Sequence, residues 1–181
     1  METNATRMCA LLVGLPGVNV TGVEGDEGQP LRVHVETTVA ISGCTACGTR
    51  AWSKGRRHVE LVDLPAFGRP AVLVWHKRRW CCPEAACEVG TFTEAQPAIA
   101  AARAGVTDRA GRWMTRQVGQ GRAVSAVATE LGCDWHTVMD AVVAYGTALI
   151  DDPGLIVGDQ RKSRFGISES RGPGVGVLLG G

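Results

Sequence analysis

Two cysteine pairs constrain this chain more than any other feature. Cys44 and Cys47 form a C-x2-C step followed by Gly48, and Cys82 and Cys87 form a C-x4-C step that contains Pro83. The 34 residues between the pairs are long enough to leave the first pair as one strand and return to the second as another. Glycine after the first pair lets the backbone turn tightly and aim its amides at the sulfurs. Four thiolates fill a tetrahedral zinc shell and leave no position for water, so the spacing predicts a structural Zn2+ site and not a catalytic one. Cys81, His58 and His76 are the alternative donors. A thiol redox motif would open a helix within a βαβ unit, whereas Cys47 is followed by Gly48 and extended sequence. Cys9 and Cys133 stand alone and read as small buried hydrophobes.

Seven cysteines with no export signal argue for a reducing, cytoplasmic setting and against a disulfide framework. The longest apolar run, Met8 to Val18, contains Pro16 and is far shorter than the roughly 20 residues a membrane helix needs, so no membrane partner is expected. The 181 residues carry a net charge of only +1, but the charge is unevenly placed. Residues 1–49 hold 2 basic and 5 acidic groups, residues 50–122 hold 13 and 6, and residues 123–181 hold 4 and 7, giving −3, +7 and −3. A cationic middle segment is the electrostatic footprint of a chain that neutralises phosphates. No G-x-S-x-G, P-loop, open histidine-rich metal site or convincing carboxylate pair occurs, so the chain does not read as an enzyme.

From Leu11 to Val39 the pattern is β-like: Leu31, Val33 and Val35 alternate with Arg32, His34 and Glu36, and two strands flank Gly25 to Pro30. A second pair, His58 to Leu64 and Pro70 to Trp80, flanks a turn signal at Pro65, Phe67 and Gly68. Trp75 and Trp80 read as seats for this module. Beyond Pro97 the apolar period lengthens to about 3.6 residues. Thr107 is positioned to cap a first helix with the stripe Ala110, Trp113, Met114 and Val118. Val124, Val127, Ala128 and Leu131 form a second stripe, ended by Gly132, and Asp134 precedes a third through Val138, Ala141, Val142 and Tyr145 to about Ile150.

The expected fold class is therefore α+β: a zinc-ribbon-like β module over residues 11–96, an all-α three-helix helix-turn-helix domain over 105–150, and a linker and disordered tail over 151–181. The short turn Gly132-Cys133-Asp134 gives the second and third helices helix-turn-helix geometry. His136, Thr137, Met139 and Asp140 then face outward near the start of the third helix, where His136, Thr137 and Asp140 can reach base edges. Trp135 reads as a core residue. Lys77, Arg78 and Arg79, together with Arg109, Arg112, Arg116 and Arg122, are the expected phosphate contacts.

The sequence resembles insertion-sequence transposases of the ISL3 family. The resemblance rests on Cys44 to Gly48, Asp63-Leu64-Pro65, Gly68-Arg69-Pro70, Lys77 to Pro83, Thr91 to Glu94 and Val127 to Gly132, in that order, and covers about residues 11–155. It implies that the zinc finger and helix-turn-helix bind the element's terminal inverted repeats, as double-stranded DNA. In that family an RNase-H-like domain with an acidic triad follows and cuts the DNA. Only Asp151, Asp152, Asp159 and Glu169 remain as acids beyond Ile150, and Gln160 stands where a second acid is expected. The resemblance thus implies a transposase truncated before its catalytic domain, with a second copy or the full-length transposase as protein partners. A stand-alone transcription regulator built from the same modules is the alternative, and a zinc-stabilised protein-interaction module is a third.

Overall fold

The alternation at Leu31, Val33 and Val35 forms strand β2 (Leu31–Thr37), with its apolar side buried and Arg32, His34 and Glu36 on the wetter side. A computed structural model describes residues 4–151; the expected tail lies outside the described residues, as does all of the expected linker but Asp151. Strand β1 (Val18–Glu24) returns antiparallel to β2 across the expected turn. Strands β3 (Trp52–Ala66) and β4 (Arg69–Cys81) form a long antiparallel hairpin, longer than the periodicity predicts. Its tight turn puts Phe67 and Gly68 at φ 53° and 73°, the pair of left-handed residues that matches the twist of a hairpin. The sheet order is β1-β2-β4-β3, with β2 and β4 parallel from Leu31 opposite Ala71 to Val35 opposite Trp75. A short strand, β5 (Thr91–Thr93), pairs with Arg79 to Cys81 at the far end of β4.

Val35, Leu61, Leu73, Trp75 and Ile99 make the centre of the sheet's core. Trp75 is sealed there, and Trp80 is buried nearer the cysteines. Leu11 to Val13, expected at the start of the β-like stretch, instead close a helix, α1 (Ala5–Val13). Asn4 caps it by accepting from the Arg7 amide at 3.1 Å, and Gly14 ends it in the left-handed conformation at φ 64°. Its Cys9, Ala10 and Val13 lie against the sheet core, so the apolar run is amphipathic at helical spacing.

Three further helices follow: α2 (Asp108–Gly119), α3 (Val124–Leu131) and α4 (Trp135–Asp151). Thr107 caps α2 as its position predicts, accepting from the Ala110 amide at 3.2 Å, and Gly132 ends α3 at φ 64°. Met114, Val127, Ala128, Leu131, Val138 and Ala141 close a second core. The helices do not stand apart as an all-α unit. Val62 of β3 packs into their core, and the chain just before α2 pairs with β3 through Val62 N–H to Gly105 O and Thr107 N–H to Val62 O, both 3.0 Å. Gly111 of α2 sits where α4 crosses: a Cβ there would lie 2.2 Å from the Tyr145 ring.

One buried carboxylate ties the layers together. Asp63 of β3 accepts from the Thr107 hydroxyl at 2.7 Å and from Arg109 Nε at 2.8 Å, and Arg109 Nη2 completes a two-pronged pair. The same guanidinium donates through Nη1 to the carbonyl of Val13 at the end of α1. Sheet, first helix and helical region thus share one ion pair.

Two outcomes follow from this packing. Asp63→Ala is expected to lower unfolding free energy by about 3 kcal/mol, the lower end for a broken buried pair because Arg109 remains partly hydrated, as read by urea denaturation. Gly111→Ala should destabilise by about 1–3 kcal/mol in the same assay although alanine is the better helix former, because the Tyr145 ring must move.

Candidate metal centre and nucleic-acid interface

The first cysteine pair lies in the loop between β2 and β3. Cys44 N–H donates to Thr49 O at 2.8 Å and Gly48 N–H to Cys44 O at 3.0 Å, with Gly48 at φ 74°, so the loop folds back on itself. The second pair lies beyond β4, where Cys82 N–H donates to Gly90 O at 3.1 Å. The β3–β4 pairing closes the gap, since Trp52 near the first pair is opposite Cys81 next to the second. The sulfurs of Cys44, Cys47, Cys82 and Cys87 all lie within 4.8 Å of one another, with 3.7 Å between Cys44 and Cys87 and 3.5 Å between Cys47 and Cys82. Four thiolates at about 2.3 Å from one tetrahedral zinc stand about 3.8 Å apart, so the spacing fits that ion. Cys81 is not in the cluster, its sulfur lying 3.6 Å from the Cys82 carbonyl. His58 and His76, the other alternative donors, are not in the cluster either.

The two halves of the cluster differ in acidity. The hydroxyl and amide of Thr49 hold the Cys47 thiol down to about 6, and the amides of Cys47 and Ala46 lower Cys44. At Cys82 the Glu84 amide pulls the other way but is outweighed by burial and by the crowding of Cys47, Cys44 and Cys87, which push it up to about 12. Cys87 is likewise raised, its Val89 amide outweighed by burial and by Cys44 and Cys47. Cys47 therefore offers thiolate near neutral pH, whereas the second pair must lose protons to become ligands.

The far half of the β3–β4 hairpin carries the cations. Arg56 is directly opposite Arg78, and Arg57 is directly opposite Lys77. Glu36 partners Arg56 at 2.6 Å, but Arg57 and Lys77 face each other as like charges, a repulsion that an anionic partner would remove. Lys77 stacks its ammonium over the Trp75 ring at 4.1 Å, and burial lowers its pKa. Arg78 is half-buried, and Arg79 is exposed beside β5. Lys54, Arg56 and Arg57 on the opposing strand escaped the sequence reading; the run Lys54-Gly55-Arg56-Arg57 was visible, but its pairing with the second basic run was not. Trp52, at the base of the same ribbon, is 67% exposed.

On the helical side, Arg112 and Arg116 are exposed on α2, Arg112 bound to Asp108 at 2.7 Å one turn earlier. Arg122 pairs with Glu130 at 2.6 Å and lies over the Trp113 ring. Arg109, expected on the phosphate side, turns inward, each of its three guanidinium nitrogens donating to Asp63 or to the Val13 carbonyl. His136 and Asp140 are exposed along the first half of α4, with Thr137 half-buried between them. Trp135, expected in the core, is 53% exposed and stacks on His136 at 3.9 Å between ring centres.

Residues 42–87 match the zinc-finger of transposases IS204/IS1001/IS1096/IS1165, and residues 95–146 match the helix-turn-helix domain of transposase family ISL3. The chain carries both of these transposase domains. No curated protein and no solved structure matches it. The ISL3-type zinc finger contains the four clustered sulfurs and the cationic ribbon; the ISL3-type helix-turn-helix domain contains α2, α3 and the first part of α4. Among the described residues no helix is long and apolar enough to cross a membrane.

Because Cys82 and Cys87 must be deprotonated to bind, apparent zinc affinity should rise as pH rises above about 6, by roughly tenfold per pH unit for each proton displaced. Competition against a chromogenic chelator across that range, with proton release measured alongside, checks the sign and the number.

Proposed function

We propose that this chain is the DNA-recognition part of an ISL3-type transposase that holds the terminal inverted repeats of its element as double-stranded DNA. A structural Zn2+ on Cys44, Cys47, Cys82 and Cys87 braces the β-rich module, residues 11–96, and the helix-turn-helix over 105–150 supplies the second contact. The observation that carries the reading is the cationic ribbon within a matched zinc finger: Arg57 stands opposite Lys77 as a repulsive pair, and Arg78 stands opposite Arg56, whose charge Glu36 already partners. Phosphates relieve that repulsion. Lys54, Arg57, Lys77, Arg78 and Arg79 contact the backbone from the ribbon, joined by Arg112, Arg116 and Arg122 from the helical side. His136, Thr137 and Asp140 read base edges at the start of α4. Arg109 serves the reading indirectly, by holding the helices on the sheet. The zinc site is closed and does no chemistry of its own. The chain acts as a binding protein, with a second copy or a full-length transposase as its protein partner, in the cytoplasm at the nucleoid.

The test is a titration of the terminal inverted repeats of related elements against random duplex at low and moderate salt. Binding should favour the repeats and weaken steeply with salt, by a slope of roughly 0.9 per neutralised phosphate. Arg57→Ala and Arg79→Ala should each reduce that slope by about 1 on both duplexes, whereas Thr137→Ala should narrow the preference for repeats and leave the slope unchanged. Failure to bind either duplex at any salt concentration would overturn the reading.

A further inference from the structure

Three histidines stand side by side on the polar face of the sheet, one on each of three neighbouring strands. His34 is on β2, His76 on β4, and His58 on β3 directly opposite His76. Nδ1 of His34 lies 3.0 Å from Nε2 of His76, and the His58 and His76 ring centres are 4.3 Å apart. None of the three takes part in the cysteine cluster or in the proposed DNA contacts. Two ion pairs reach across β4 on either side of the row, Arg32 to Glu60 and Glu36 to Arg56, so the charged neighbours already have partners. The imidazoles are left as the unassigned donors of this face.

Two ring nitrogens facing each other at 3.0 Å can share a single proton. Two nitrogens held at about 2.0–2.1 Å by one metal ion stand about 3.0–3.4 Å apart for coordination angles between square and tetrahedral, so the separation matches an ion seated to one side of the N···N line, with each ring turned to aim its lone pair at it. The remaining nitrogen of His34, Nε2, lies 3.2 Å from Glu24 Oε1, buried and out of hydrogen-bonding alignment. A carboxylate beside the outer nitrogen is the usual orienting partner of a metal-bound histidine. Burial first, then the neighbouring His58 and His34, keep His76 below the ordinary histidine pKa, in the neutral form a ligand needs. His58 is exposed, and its ring can turn within its rotamers to bring a nitrogen toward the pair.

We propose that His34, His76 and His58 form a second metal site, distinct from the four cysteines, for a divalent first-row transition ion such as Zn2+, Co2+ or Ni2+. Imidazole suits these ions, and three nitrogens on an open sheet face leave a position for water. The ion would lock β2, β4 and β3 together at the border between the helix-covered and cationic halves of the polar face.

The experiment uses the tag-free chain, loaded first with one equivalent of zinc and then titrated with Co2+ under anaerobic conditions. The expected result is a further equivalent of bound cobalt with visible ligand-field bands and no thiolate-to-metal charge-transfer band. His34→Gln and His76→Gln should each weaken that equivalent by roughly tenfold or more, and His58→Gln should weaken it less, with zinc content and far-UV circular dichroism unchanged. Histidine side-chain nitrogen resonances should move on adding Zn2+ to the wild-type chain, which reads the site without any variant. Equal cobalt binding by wild type and the His34→Gln and His76→Gln variants would overturn the proposal, as would a cobalt spectrum carrying only the thiolate band.

Discussion

The β3–β4 pairing carries two halves with opposite energetics, and the rest of the structure depends on how they are joined. In one half, Leu61 faces Leu73 and Val59 faces Trp75 within the sheet core. In the other half, arginine and lysine oppose arginine and lysine, which no isolated hairpin would favour. The charged half persists because it is pinned at both ends. Burial of Leu73 and Trp75 fixes the register at one end, and a register slip of one residue would move both side chains to the wrong face. At the other end the cysteine loops converge, and β5 adds a third strand to Arg79, Trp80 and Cys81. Glu94 reinforces that end, taking the Arg78 amide at 2.9 Å and the Thr37 hydroxyl at 2.6 Å. A metal held by these four thiolates would supply there what a strand-rich segment of this size lacks in apolar area.

Asp63 does the corresponding work between sheet and helices. Its oxygens are filled by Thr107 and Arg109, so the capping residue of α2 is itself held by β3. The helix that carries Arg112 and Arg116 therefore starts from a fixed point on the strand that carries Arg56 and Arg57. Gly132 pressed against Pro70, at the start of β4, fixes α3 to the other strand of the hairpin. Two surfaces that are separate in sequence become one rigid unit through these contacts.

What could be read from the sequence was what local chemistry determines. The C-x2-C and C-x4-C spacing, the Phe67-Gly68 turn, the Thr107 cap and the Gly132 stop each depend on a few neighbouring residues, and each has a counterpart in the fold. Most of the misses are long-range or orientational. Nothing in Leu31 to Val35 announces a parallel partner at Ala71 to Trp75, because alternation is the same for either direction. Arg109 has the same side chain as Arg112 and Arg116, and only the buried carboxylate 46 positions earlier turns it inward. Helix α1 was hidden by Pro16 and its flanking glycines, which in fact lie beyond its end. The histidine row needs three strands to be placed in order before His34, His76 and His58 become neighbours.

The charge pairing also divides the labour between the two surfaces. On the helices, Arg109, Arg112 and Arg122 each have a carboxylate partner, so much of their field is cancelled before any ligand arrives. On the ribbon Glu36 partners Arg56, but Arg57 and Lys77 oppose each other across the strands without an ion-pair partner among the described residues, and Arg79 is exposed. A polyanion gains most where cations are unpaired, because it relieves repulsion and displaces counterions without first breaking ion pairs. In the proposed reading the ribbon therefore supplies most of the affinity and its salt dependence. In the same reading the start of α4, with Trp135 stacked on His136 and Asp140 exposed, holds few cations and several groups able to meet base edges, and so would supply the choice of sequence.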